Sequence, residues 1–408
     1  MRLKVKLCDM VTIKNLVLAA ERLPCDVDLQ SGSFVIDAKS ILGVLGLPEN
    51  DTGILQVHSD DPNICTPFLE ELEHLGILCP EGPMIQKTTF LACALGEILI
   101  DFTLQGRNEQ EQRVFAQNAG GAPANVVAAM AKLGARTAFI GKAGNDMHGR
   151  FLKETLEQCG IDSTGLTLSN DYFTTLAFVD VKPDGEREFS FARNHGADKM
   201  LEKSDVPLEL IRSSGILHIG SISLTDEPAR STTLFAVQKA KEAGCVISYD
   251  PNYRASLWKS EELAKKQMRS MIPYADLMKI SEEETQLLTG ESDYKTAAEI
   301  LMQNGVKIVV VTLGKMGAYV QTKQGGTLVK GYRNKAVDAT GAGDAFWGGF
   351  LFQFSRCGKA PEAVTAEEAA EFADFGNAVA SVCVQKHGAI PAMPDMAQVM
   401  EQLKKERL

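Results

Sequence analysis

The stretch Val337-Asp338-Ala339-Thr340-Gly341-Ala342-Gly343-Asp344-Ala345-Phe346 sets a small-residue turn between an apolar run and a helix-forming run. One carboxylate, Asp344, falls in the first turn of the predicted helix. Gly341 and Gly343 let the backbone approach a ligand closely, and the unpaired N–H groups around Ala342 predict an anion pocket. Asp344 would repel a phosphate seated there, but it suits a base that takes a proton from a hydroxyl attacking that phosphate. An ordinary capped helix has the same local sequence, so the rest of the chain separates the two readings.

At 408 residues the chain predicts more than one domain. Its 45% hydrophobic and 23% charged content is that of a soluble globular enzyme. A net charge of -11 without a Lys/Arg cluster argues against nucleic acid as a partner, and no apolar run reaches the length of a membrane span. Nine cysteines without a C-x-x-C pair, and an N-terminus without a signal-peptide core, predict reduced thiols and a cytoplasmic location. The six histidines show no metal-ligand spacing.

Residues 1–80 read as a separate small unit. Strands are expected over residues 3–7, 26–29, 33–36 and 53–57. Helices are expected from residue 13, over 39–45 and over 67–75. Pro80-Glu81-Gly82-Pro83 opens a predicted linker ending at residue 88. From residue 89 to 408, apolar segments at 90–100, 137–140, 215–219, 246–249, 277–280, 308–311 and 318–321 mostly lead into helical patterns. Those helices include 122–133, 230–243, 261–271 and 296–303. The alternation predicts a three-layer α/β domain with a mainly parallel sheet. Residues 174–181 and 187–192, around Pro183-Asp184-Gly185, read instead as a hairpin that covers a site or forms a dimer surface.

Four constellations carry chemistry. Asn118-Ala119-Gly120-Gly121-Ala122-Pro123-Ala124-Asn125 leads paired glycines into a helix, with an amide able to bond hydroxyls. It lacks the G-x-G-x-x-G spacing of a dinucleotide site. Asp101 ends the run 90–100 as an acid at the carboxyl edge of an expected strand, where its oxygens suit a pair of sugar hydroxyls. Tyr249-Asp250-Pro251-Asn252-Tyr253-Arg254 is a strand-end turn in which Arg254 offers charge neutralisation to a phosphate. Ser281-Glu282-Glu283-Glu284 and Thr312-Leu313-Gly314-Lys315-Met316-Gly317 also follow strands, and carboxylates near phosphate imply a divalent cation.

Together these motifs resemble the ribokinase-like (PfkB) sugar kinases over residues 90–395, and their wording is closest to the fructokinases. One signature runs from Gly121–Asn125 through Gly134 to Gly149, and Asp338–Asp344 is the other. Between them, Asp184-Gly185-Glu186-Arg187-Glu188-Phe189 and Gly220-Ser221-Ile222-Ser223-Leu224 are fructokinase-like. The resemblance implies a ribokinase-like α/β/α domain with a small β lid and ATP-dependent phosphorylation of a sugar primary hydroxyl. Fructose leads, and 2-keto-3-deoxygluconate and ribose are rival substrates. It implies that Asp101, Gly120, Gly121, Asn125 and Arg193 hold the sugar, with Asp344 as base and Gly341–Gly343 as anion hole. Thr312, Gly314, Gly317 and Asn377 would lie along ATP, and Glu284 would serve Mg2+. Asp338 and Thr340 fall on a loop that binds a monovalent cation such as K+ in several members. The family's N-x-x-E reads Ser281-x-x-Glu284 here, which leaves Ser281 without an assigned role. A homodimer is expected. A rival class is an idle sugar sensor, which would not need the base.

The first 80 residues resemble the histidine-containing phosphocarrier protein HPr in element order, β-α-β-β-α-β-α, and in Ala38-Lys39-Ser40-Ile41-Leu42-Gly43-Val44. The phosphorylated histidine of that family falls near Asp9, and no histidine precedes His58. The resemblance therefore implies a domain that binds a protein partner or regulates, and does not carry phosphate.

Overall fold

The computed structural model describes residues 2–7, 10–31, 34–45, 52–59, 61–78, 89–181, 187–405 and 407. Asp9, the expected linker at 81–88 with Pro80 before it, and the hairpin turn at Pro183-Asp184-Gly185 lie outside the described residues. The chain divides into two compact units, Met1–Met84 and Ile85–Leu408.

The first unit holds an antiparallel sheet in the order Arg2–Lys6, Thr52–Val57, Val27–Ser31, Phe34–Asp37, with helices Met10–Glu21, Ile41–Leu45 and Pro62–His74. Alternation decides which face is covered: Val27, Leu29 and Ser31 are buried, while Asp28 and Gln30 are half-buried. Leu16, Leu29, Leu55, Phe68 and Leu72 form part of its core. The helix expected over 67–75 begins earlier, at Pro62. Pro67 lies inside it and removes one backbone donor. Burial of Phe68 and Leu72 on the same helix offsets that loss.

The second unit is built on a nine-stranded sheet. Its order is Gly325–Lys330, Gly317–Thr322, Ile308–Thr312, Leu277–Ser281, Val246–Tyr249, Ser214–Ile219, Phe90–Leu95, Thr137–Gly144 and Ile161–Ser169. Seven strands run parallel, and the pair Gly317–Thr322 and Gly325–Lys330 closes one edge antiparallel. Central strands are apolar throughout because both faces are covered. Ile308 and Val310 enter one core and Val309 and Val311 the other. The first core packs helices Ala122–Lys132, Ala342–Cys357 and Ala366–Cys383. The second packs Ala229–Glu242, Glu261–Met271 and Tyr294–Gln303. The outermost strands, Ile161–Ser169 and Gly325–Lys330, escaped the sequence reading because they are half solvated and lack a continuous apolar run.

One expectation needs correction. The segment 90–100 is not a single strand but two, in different sheets: Phe90–Leu95 in the large sheet and Leu99–Arg107 in a second, four-stranded sheet. The chain turns at Gly96-Glu97, where the Glu97 carboxylate accepts the Ala122 N–H at 2.9 Å. Asp101 therefore stands in the second sheet, not at the carboxyl edge of a central strand. That small sheet has the order Arg187–Ala192, Leu176–Val181, Leu99–Arg107, Arg113–Gly120. The predicted hairpin supplies only half of it, and the segment leading into the paired glycines supplies the rest. Phe178 stacks on Phe102 at 5.3 Å and meets Phe115 edge-on at 5.9 Å, yet remains 37% exposed. No helix among the described residues is long and apolar enough to cross a membrane.

Candidate active site

The helix Ala342–Cys357 starts at Gly341, whose φ of 73° is the left-handed conformation that glycine adopts without cost. Three residues on, Asp344 is 6% exposed. Its two oxygens are held by amides from distant segments: Asn125 Nδ2 donates to Oδ2 at 2.7 Å, and Asn252 Nδ2 donates to Oδ1 at 3.1 Å. Burial raises the Asp344 pKa first of all, and Asp250 adds to the rise, while Lys279, Asn125 and Arg254 oppose it. The helix itself is pinned from below. Trp347 Nε1 donates to Ser248 Oγ at 2.9 Å, and His218 Nδ1 meets the same hydroxyl at 2.9 Å. Burial pushes His218 down to about 4, so it stays neutral.

A cavity of about 390 Å3 opens above this helix start. Arg254, Glu284, Thr312, Gly341, Ala342, Gly343 and Asp344 line it, so the structure gathers them from three separate strand ends and one helix. Glu284 is buried and ties two of those ends together. One oxygen accepts Tyr253 N–H at 2.6 Å and the other accepts Ser281 N–H at 2.8 Å. Ser281 thus contributes its backbone as the cap of helix Glu282–Thr289.

Asp101 lies in the strand Leu99–Arg107 of the small sheet, beside Gly120, where any side chain would collide with its carboxylate. Burial pushes its pKa up to about 7, Arg254 opposes the rise, and Asp344 and Asp338 reinforce it. Gly121 has φ 117° and carries the helix Ala122–Lys132, so a Cβ there would strike the Glu97 carbonyl. Glu97 is raised to about 7 by burial, and its second oxygen finds no protein partner.

Two expected residues point elsewhere. Arg193, read as reaching the sugar, is 6% exposed and spends its donors on protein. It bonds Asp198 at 2.7 Å, the Thr225 hydroxyl at 2.8 Å and the Ile222 carbonyl at 3.1 Å. Asp198 also accepts from Thr175 at 2.5 Å, so the cluster joins both roots of the lid hairpin to the body of the domain. Asn377 does not line the cavity; its amide donates to the carbonyls of Val329 and Lys330 at 3.2 and 3.3 Å. Gly314 and Gly317 flank a short helical turn after Thr312, and Gly317 packs against the backbone of Val329. Asp338 is buried and accepts from Thr340 N–H at 2.8 Å and Gly388 N–H at 3.0 Å. Lys279 was not among the predicted site residues, and Asp250 and Asn252 were marked only as part of the strand-end turn 249–254, without a role of their own. Lys279 sits within an apolar strand, and only the break in hydrophobicity at that position could have marked it.

The family model for pfkB family carbohydrate kinase matches residues 89–396. The chain belongs to that family. This carbohydrate kinase is 41% identical to fructokinase-2 of Solanum habrochaites over 320 residues, which is 77% of the chain and 96% of the relative. Among solved structures, a fructokinase with bound ATP from Xylella fastidiosa superposes with a TM-score of 0.71 at 31% identity. The match spans 77% of this kinase and 98% of that chain. A double-mutant fructokinase from Vibrio cholerae, in a fructose, ADP and potassium ion bound form, gives 0.69 at 33% identity over 78% and 100% of the two chains. The second unit therefore has the ribokinase-like α/β fold, a large mixed sheet flanked by helices.

A pH dependence follows from the raised carboxylates. Burial raises Asp101 to about 7, with the Asp344 charge adding to the rise, and burial raises Asp344 as well. Accepting a hydroxyl hydrogen needs the ionised form, which both carboxylates lose as pH falls through their raised values. The acid limb of kcat/KM is expected near 7, where Asp101 titrates. A profile flat down to about 5 would contradict it.

Proposed function

We propose that this kinase transfers the γ-phosphoryl group of ATP to a primary hydroxyl of fructose. The observation carrying the mechanism is the buried Asp344 carboxylate, oriented by Asn125 and Asn252 at the mouth of the Gly341–Gly343 turn. Asp344 takes the hydroxyl proton, the sugar oxygen forms its bond to the γ-phosphorus, and the bond to the β,γ-bridging oxygen breaks with its electron pair leaving on ADP. The N–H groups of the helix start and Arg254, at the cavity wall, meet the charge on the transferred group. Asp101, Gly120, Gly121 and Asn125 hold the sugar beneath the lid. Thr312, Gly314 and Gly317 run along the nucleotide. Asn377 shapes that side by holding the strand Gly325–Lys330.

The described residues contain no group of three His, Cys, Asp or Glu side chains able to cage a metal. Glu283 and Glu284 on the cavity wall fit magnesium, which keeps its waters and rides on nucleotide phosphates beside one or two carboxylates. Glu284 would hold it through water, and when bound the ion neutralises phosphate oxygens. We further read the loop of Asp338 and Thr340 as a potassium site, the lid's aromatic face as a homodimer contact, and the location as cytoplasmic. Turnover in potassium compared with sodium checks the first of these, and sedimentation at micromolar concentration checks the second.

With MgATP and a sugar panel, fructose is expected to give the highest kcat/KM. Asp344→Asn is expected to lose kcat by about 100-fold or more with substrate affinities within a few-fold. A tenfold preference for 2-keto-3-deoxygluconate or ribose would overturn the sugar. Residual activity above about a tenth would remove Asp344 from the base role. A wild type that binds sugar without turnover would favour the sensor reading.

For residues 1–80 we propose an HPr-like domain unable to carry phosphate, joined through residues 81–88 to the kinase domain at 89–408. Its support is the sheet order and the motif around Ser40, with an aspartate where the carrier histidine belongs. Its remaining role is to bind a protein partner. Incubation with the general phosphotransferase enzyme and labelled phosphoenolpyruvate is expected to leave these residues unlabelled, and stoichiometric label would sink the proposal.

A further inference from the structure

Under the Gly341–Gly343 turn lies a buried ammonium group to which the chemistry above gives no part. Lys279 is the third residue of strand Leu277–Ser281, is 5% exposed, and lines the cavity. Its Nζ makes a short ion pair with Asp250, which is 1% exposed. A side-chain carbon on Gly343 would stand 3.2 Å from that Nζ, so the ammonium sits against the last glycine of the turn. Burial alone would favour the neutral amine, but Asp250, then Asp344 and Glu284, outweigh it and keep Lys279 a cation.

Fold stability does not account for this arrangement. A buried ion pair gains little over a well-packed apolar pair, because desolvation costs about as much as the attraction returns. The charge balance of the pocket does account for it. Asp250, Asp344 and Glu284 bring three buried carboxylates to a place where a phosphate must also fit. Arg254 is exposed, so its charge is screened by water. Lys279 supplies a buried cation facing all three carboxylates, and a fixed charge acts most strongly where water is excluded.

We propose that Lys279, from beneath the Gly341–Gly343 turn, supplies the internal positive charge against which the phosphoryl group is transferred. This rests on the kinase reading of the site. Lys279 gives up no proton: the hydroxyl proton ends on Asp344 and the electron pair of the broken bond on ADP. Its contribution is largest when charge is shared between the attacking and leaving oxygens, so it acts on kcat more than on KM.

The double variant Lys279→Met with Asp250→Asn removes both charges and leaves no unpaired carboxylate from that pair. It is expected to keep its thermal midpoint within a few degrees and both KM values within a few-fold. Its kcat is expected to fall by about 100-fold, the scale of losing one preorganised electrostatic contact. A folded double variant with kcat within threefold of wild type would show that the pair is only structural and overturn the proposal, as would a rise in KM at unchanged kcat. A second arm uses Lys279→Ala with methylammonium, which should restore kcat at least tenfold without affecting wild type. No response of this variant to the amine overturns the proposal. Wild type measured alongside separates the two inferences, because a wild type inert to every sugar would defeat the kinase reading itself.

Discussion

Asp344 has to be out of water and yet able to carry charge, and much of the second unit is arranged around that requirement. A buried carboxylate is costly unless its oxygens are bonded and opposite charge is near. Here two amides and a lysine provide both, and none is close in sequence to residue 344. Asn125 comes from the helix after the paired glycines, Asn252 from the turn after Val246–Tyr249, and Lys279 from the next strand. The parallel sheet, which brings successive strand ends to one edge, delivers Asn252 and Lys279, while Asn125 arrives on the helix that follows Arg113–Gly120 of the small sheet.

The lid obeys a related logic. Its strands grow out of the same segments that build the site, since Leu99–Arg107 and Arg113–Gly120 lead directly into Gly121. Asp101, Gly120 and Gly121 thus share one continuous piece of chain with that small sheet. The Arg193–Asp198 pair fixes where the lid hairpin leaves the body, joined by Thr175 and anchored on Ile222 and Thr225. Removing either charge would leave its partner buried and unpaired, the costly way to break such a contact. Arg193 therefore holds the root of that hairpin.

Residues before 89 lie outside the family match, and the fructokinase relative aligns over 77% of the chain. The first unit has its own core of leucines and valines on a separate four-stranded sheet. Leu16, Leu29, Leu55 and Leu72 are buried among its own residues, which is the physical sense in which it is a domain.

The sequence by itself determined most of the central elements, though not the edge strands Ile161–Ser169 and Gly325–Lys330. Apolar runs such as 308–311, flanked by helical patterns, could only be strands covered on both faces, and Gly341–Asp344 could only sit at a helix start. Those are local facts, fixed by periodicity and by what glycine and a first-turn carboxylate can do. The run 90–100 shows the limit. Its apolar pattern continues across Gly96-Glu97, so nothing local reveals that the chain passes there from one sheet to another. Arg193 and Asn377 are polar residues near a site in sequence terms, yet their donors are spent on a carboxylate and on backbone carbonyls far along the chain. Lys279 looked like an interruption in a strand and became a buried cation only when Asp250 arrived at the end of the neighbouring strand. Which polar group meets which depends on strand order and on contacts across many residues, and those belong to the tertiary structure alone.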